Sequence, residues 1–274
     1  MGKQRIISAF IVIPIIYLFV RTGGLPFFIC VSSLSIYGLL EYFNMCNMEK
    51  IPTSRWWASL ITFALMLNAF FVSKGQPLLV MKDLTGPIIA LLVIGQLVIL
   101  LIKSDLKHGL SDISFTVMGV MYVGWLAMHA ILLREIKPFG FQYVLIVFVV
   151  TWISDAGAYY IGGKFSPRVL LHAASPNKSW AGALGSVLTG TFCMIAAVKV
   201  LNLDFISVGT AAILGSIIGS FAVMGDLAES LIKRNLNQKD SGVFMPGHGG
   251  VLDRIDSLLF TVPLMYYFVR YFVR

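Results

Sequence analysis

Apolar runs close to membrane-crossing length alternate with short polar breaks along almost the whole chain. A helix needs about 20 apolar residues to cross the hydrocarbon. Nine stretches answer to that description: 6–20, 25–43, 56–73, 84–102, 111–133, 140–161, 179–201, 205–228 and 255–273. The first is short and follows Lys3 and Arg5, as a signal peptide would. It lacks an A-x-A cleavage pattern and further hydrophobic segments come after it, so it reads as a retained span. Arg21-Thr22-Gly23-Gly24 predicts a tight reversal between the first two. The pattern therefore predicts an all-α polytopic membrane protein of about nine transmembrane helices. The same pattern predicts one integral-membrane domain over 1–274, with amino-terminal helices in 1–133 and further helices and loops in 134–274.

One polar break differs from the rest. Ser230 to Asp256 is the longest polar interval, and it gathers Lys233, Arg234, Lys239, Asp240, His248, Asp253, Arg254 and Asp256 into the loop before the last helix. Composition agrees with a lipid-dissolved chain: 12% of residues are charged, about half the soluble average of 25%. Cys30, Cys46 and Cys193 are scattered without CxxC spacing, which speaks against a zinc site or a disulfide framework. The net charge of +8 fits loop topology and anionic lipid, not nucleic acid. With the amino terminus inside, thirteen of the 21 basic residues fall on the cytoplasmic side. The loops 162–178 and 229–254 then share the cytoplasmic face.

Carboxylates in or beside apolar spans are Glu41, Asp155, Asp226, Glu229 and Asp256. At a helix centre each costs about 2.5–3.5 kcal/mol, so each is a functional candidate. Glu41 stands near a predicted helix end, within reach of water. Asp155 follows the apolar run 144–153 and precedes Ala156-Gly157, which favours a functional role. Asp226 and Glu229 are three apart, with Lys233 seven after Asp226, so the three share a helical face. Asp253 and Asp256 have the same spacing at the start of the ninth span. Carboxylates converging beside cations suit a divalent ion completed by substrate phosphates. Without neighbouring Cys or several His, magnesium fits better than zinc.

Pro246-Gly247-His248-Gly249-Gly250 adds backbone able to approach an anion closely. Alone a glycine turn is a weak signal; between Lys-Asp and Asp-Arg-x-x-Asp it reads as a phosphate site. The other loop repeats the theme with Lys164, Arg168 and Ser175-Pro-Asn-Lys-Ser-Trp180. There Lys178 and Ser179 lie at a predicted helix amino terminus, where anions are favoured.

At these residues the chain resembles the phosphatidate cytidylyltransferases, the CDP-diacylglycerol synthases. The family pattern stands here as Ser230, Lys233-Arg234, Lys239-Asp240, Gly242, Pro246-Gly-His-Gly-Gly250, Asp253-Arg254 and Asp256. Ser154-Asp155, Ala158-Tyr159-Tyr160, Ser175-Pro-x-Lys178-Ser-Trp180 and Gly225-Asp226 also look like the family. Two positions depart from it. Ala181-Gly182 stands where the family usually carries Glu-Gly, and Met245 replaces a leucine or isoleucine.

The resemblance implies that CTP and phosphatidic acid give CDP-diacylglycerol and pyrophosphate. On that reading Asp226, Asp253 and Asp256 hold Mg²⁺, with a second metal or a monovalent cation left open. Lys233, Arg234, Lys239 and Arg254 neutralise phosphates, and Asp240 and His248 complete the catalytic set. Asp155, Lys178, Ser179, Ser230, Gly247, Gly249 and Gly250 bind substrate, Lys178 and Ser179 at the phosphatidate headgroup. A homodimer is implied, in a bacterial inner membrane with its site facing the cytoplasm. The rivals are a CTP-dependent polyprenol kinase, a transporter using Asp155, Asp226 and Glu229 as an ion path, and a weakly active partner subunit motivated by Ala181.

Overall fold

A computed structural model describes residues 2–75, 83–104, 107–165, 169–171, 175–242 and 249–273. Among them the helices are α1 (Gly2–Thr22), α2 (Gly24–Met48), α3 (Arg55–Ser73), α4 (Thr85–Lys103), α5 (Gly109–Gly119), α6 (Leu126–Arg134), α7 (Gly140–Phe165), α8 (Trp180–Val200), α9 (Val208–Asn235) and α10 (Leu252–Phe272). A π-helical stretch, Val120–Trp125, joins α5 to α6 in one rod. Each rod coincides with one expected span, and the ends differ by up to seven residues, most at the carboxy-terminal end of α9. The protein is an all-α polytopic membrane protein.

Seven of these rods, counted over the described residues, are long and apolar enough to cross a membrane: α2, α3, α4, α5–α6, α7, α8 and α9. Helix α4 makes the physical case. It buries Leu92 and Gln96 but exposes Leu91, Ile94, Leu97, Leu101 and Ile102. Such a surface is stable against lipid and aggregates in water.

Contacts divide the chain into two compact units. The first comprises Met1–Lys137 and Leu236–Asp253. Its core includes Leu39, Tyr42 and Phe43 of α2, Ile61 and Leu65 of α3, and Val123 and Ile131 of the π–α6 rod. The expected reversal is present, with Gly23 and Gly24 at φ of 61° and 54°. Arg134 closes it by donating to the carbonyls of Val20 and Arg21, while Glu135 accepts from the Gly24 amide at 2.8 Å. A buried polar knot joins α3, α4 and α5. Asp112 accepts from Ser54 Oγ, Gln96 Nε2 and Thr116 Oγ1 and pairs with Lys103 at 2.7 Å.

The second unit comprises Pro138–Asn235 and Arg254–Arg274. Helices α7, α8 and α9 pack through small residues, which lets backbones approach where lipid gives no hydrophobic drive. A Cβ on Gly215 would sit 2.6 Å from the Gly190 carbonyl oxygen, and Ser186 Oγ donates to the Gly219 carbonyl at 2.9 Å. A feature not expected from the hydrophobic pattern is an antiparallel ribbon of β1 (Val169–Leu171) and β2 (Ser175–Ser179). Its second strand, Ser-Pro-Asn-Lys-Ser, lacks the alternating apolar positions that announce a strand. It leads directly into α8.

Candidate active site

The second unit gathers acids at one place. One carboxylate oxygen each from Asp226, Glu229 and Asp256 lies within 4.8 Å of the others. Asp226 and Glu229 come from successive turns of α9, and Asp256 from α10. Gly225 makes the approach of the two helices possible, since a Cβ there would fall 2.7 Å from the Asp256 carbonyl oxygen. The floor of the cluster is dry, with Glu229 and Asp256 at 1% and 8% exposure. Asp226 is its open side, with its side chain 44% exposed. Asp155 on α7 joins through Ser257, whose hydroxyl donates to its Oδ1 at 3.4 Å.

Two ammonium groups answer these four carboxylates among the described ion pairs. Lys233 pairs with Glu229 one turn away on α9. Lys178, from β2, pairs with Asp226 Oδ1 at 2.7 Å and donates to Ser230 Oγ at 3.1 Å. Hard carboxylate oxygens at this spacing match what Mg²⁺ accepts from protein while keeping positions for water and phosphate. The donor set fits such an ion.

Lys178 is aimed by its surroundings. The next residue, Ser179, caps α8, its Oγ accepting from the Gly182 amide at 3.2 Å. This is ordinary N-cap chemistry, and it fixes the end of β2. An ammonium group has three donors, and Asp226 and Ser230 take two. Among the described bonds the third is uncommitted, and an anion would suit it.

The motif segment in the first unit behaves differently. Asp253 Oδ2 accepts from the Gly250 amide at 2.7 Å and from the amide and hydroxyl of Ser241 at 3.0 Å. The carboxylate expected alongside Asp256 is thus engaged by its own loop, and Glu229 is the third acid of the cluster. Its spacing puts Glu229 on the Asp226 face, but spacing alone gives it no ligand role. Ser257, the Asp155 partner, carried no sequence signal. The amide of Gly250, expected to meet phosphate, is likewise committed to Asp253. Gly249 has a positive φ of 79°, as its glycine predicts. Arg234, Lys239, Asp240 and Arg254 are exposed. Gly247 and His248 lie outside the described residues.

The sequence model of the cytidylyltransferase family matches residues 3–272. Proteins named phosphatidate cytidylyltransferase are similar over nearly the full length. One from Synechocystis sp. is 32% identical, over 98% of this chain and 97% of that protein. One from Bacillus subtilis is 29% identical, over 98% of each. One from Staphylococcus aureus is 30% identical, over 96% and 97%.

Proposed function

The chain belongs to the cytidylyltransferase family, and from that premise we propose that it transfers the cytidylyl group of CTP to phosphatidic acid, giving CDP-diacylglycerol and pyrophosphate. The observation that carries this reading is the trio Asp226, Glu229 and Asp256 set beside Lys178.

The chemistry asks little of a general base. A phosphate monoester has a second pKa of about 6, so phosphatidate arrives largely ionised. Its oxygen forms a bond to the α-phosphorus of CTP, and the bond from that phosphorus to the β-phosphate oxygen breaks, releasing pyrophosphate. The obstacle is the meeting of two polyanions, which positioned cations and in-line placement overcome.

Asp226, Glu229 and Asp256 would hold Mg²⁺, which when bound neutralises the triphosphate and raises the electrophilicity of its α-phosphorus. Lys178 offers its remaining donor to the phosphatidate headgroup, with Ser230 and Asp226 setting its direction. Ser179 holds Lys178 in place through the α8 cap. Lys233 balances Glu229, and Asp155 with Ser257 supports the Asp256 end of the cluster. Arg234, Lys239 and Arg254 would supply positive charge for the triphosphate and the departing pyrophosphate. The acyl chains remain in lipid. A cytoplasm-facing site in a bacterial inner membrane and a homodimer belong to the same reading.

The test uses purified protein in detergent with phosphatidic acid, Mg²⁺ and CTP labelled on either the α- or the γ-phosphate. Label from the α-position in lipid, pyrophosphate release and loss of both with chelator are expected. Lipid labelled from the γ-position would make the protein a kinase. No labelled lipid from either position would refute transfer and favour a partner-subunit role.

A further inference from the structure

Glu41 is a carboxylate in the otherwise apolar helix α2, and it is 5% exposed. Its place near a helix end predicts access to water, and the structure buries it instead. A carboxylate so placed is tolerated only when donors surround it. Every hydrogen bond described for it goes to the two flanks of the motif loop. Its Oε1 accepts from the Val251 amide at 3.0 Å. Its Oε2 accepts from the Leu252 amide at 2.9 Å and from Ser241 Oγ at 3.2 Å.

Two of the motif glycines find their reason here. A Cβ on Gly242 would lie 2.5 Å from Glu41 Oε1, and one on Gly250 would collide with Glu41 Oε2. The Ser241 hydroxyl has one proton, shared between Glu41 and Asp253. The amides of Gly250, Val251 and Leu252 are thus taken by two carboxylates of the protein itself, and of these only Gly250 belongs to the glycine turn.

We infer that Glu41 is a positioning residue for the transfer reaction. It seats the first turn of α10 and draws the 241–242 and 250–252 backbone onto one carboxylate. The residues so anchored, Ser241, Gly242 and Gly250 to Asp253, belong to the same compact unit as Glu41, so the anchor sets how this part of the motif is presented. The inference rests on the cytidylyl-transfer reading. It adds that nucleotide phosphates are met by side chains and metal, not by these amides.

The test compares wild type, Glu41→Gln and Asp112→Asn in one detergent, varying CTP and phosphatidic acid separately. Hydrogen exchange of peptides covering 249–256 is followed in parallel. Glutamine keeps the shape but turns an NH₂ toward one of the backbone donors. Faster exchange at Val251 and Leu252 is expected, with kcat/KM for CTP lower by roughly ten- to a hundredfold, the effect of losing a charge-assisted hydrogen bond. The KM for phosphatidic acid should stay within about twofold. Asp112→Asn, which loosens another buried network of the same unit, should leave the KM for CTP unchanged.

Wild-type kinetics in Glu41→Gln would overturn the inference. So would an equal loss toward both substrates that follows melting temperature, the mark of a purely structural role. Should Glu41→Gln fail to fold, Ser241→Ala gives the second reading: a smaller rise in the KM for CTP supports the anchor, and none overturns it. A wild type that puts no label into lipid would sink the reaction itself, whereas an active wild type with an indifferent Glu41→Gln sinks the anchor alone.

Discussion

A methyl group at Gly225 would meet the Asp256 carbonyl oxygen at 2.7 Å and the Ser257 Cα at 3.0 Å. Ordinary contact begins near 3.4 Å, so Gly225→Ala must part α9 from α10 by about 0.7 Å, and overpacking of this kind costs about 1–3 kcal/mol. The displacement falls on the backbone that carries Asp256, beside the residue that carries Asp226. Magnesium demands oxygens at about 2.0–2.1 Å in near-octahedral order, so 0.7 Å is a third of a bond length. Misplacement on the 1 Å scale can cost about a hundredfold in rate. Gly225→Ala should therefore lower kcat roughly ten- to a hundredfold and raise the half-saturating Mg²⁺ concentration. The control is Gly215→Ala, whose Cβ would press on the Gly190 carbonyl at 2.6 Å and on Met194 Cβ at 2.7 Å. It sits ten residues earlier in α9, about 15 Å along the helix. Its stability should fall comparably while metal dependence stays put. The assay is α-label transfer against a magnesium titration, with melting temperature measured on the same samples. An unchanged half-saturation in Gly225→Ala, or an equal shift in Gly215→Ala, would refute the link between this close approach and the metal.

Other consequences follow from the same geometry. Glu229→Gln should raise half-saturating Mg²⁺, whereas Asp253→Asn should lower activity without moving it; equal shifts would erase the division between the two acids. Lys178→Gln should raise the KM for phosphatidic acid in mixed micelles by about tenfold, the worth of one charge-assisted hydrogen bond, and an unchanged KM would remove it from the headgroup. Ala181→Glu adds an acid to the first turn of α8, worth about 0.3–1 kcal/mol against the helix dipole. It should melt slightly higher with activity within about twofold, because Ser179 already satisfies the Gly182 amide. A tenfold gain in transfer would instead mark this chain as a weakened member of its family.

The helices were legible because lipid imposes a length and an apolarity that any chain must spell out residue by residue. The sequence also pointed to Asp226 and Asp256 as candidates, since an acid beside an apolar span has few innocent explanations, and the fold brings the two together. What spacing could not settle was the direction of each carboxylate. Asp253 and Asp256 are three apart, and on a bare helix they would share a face. But Asp253 is the second residue of α10, where amides without helical partners compete for an acceptor, and the Gly250 amide takes it. Glu229 lies a full turn inside the end of α9, where no such amide is free to divert it.

The same competition acts on the described end of the glycine turn, at Gly250. Glycines in a polar loop advertise amides open to an anion, and here an anion does arrive, but it belongs to the protein. Glu41 comes from α2, about two hundred residues earlier in the chain, and only the fold brings it to Gly242 and Gly250. Small residues in a motif can make room for a substrate or for a side chain, and the two cases read alike in sequence. They separate in Gly242→Ala. A Cβ there displaces Glu41 Oε1 from a contact of 2.5 Å, so an anchor made by Glu41 predicts faster exchange at Val251 and Leu252 even without nucleotide. If the glycine serves CTP directly, exchange in the nucleotide-free protein should be untouched, and the difference between variant and wild type should emerge only when CTP is added.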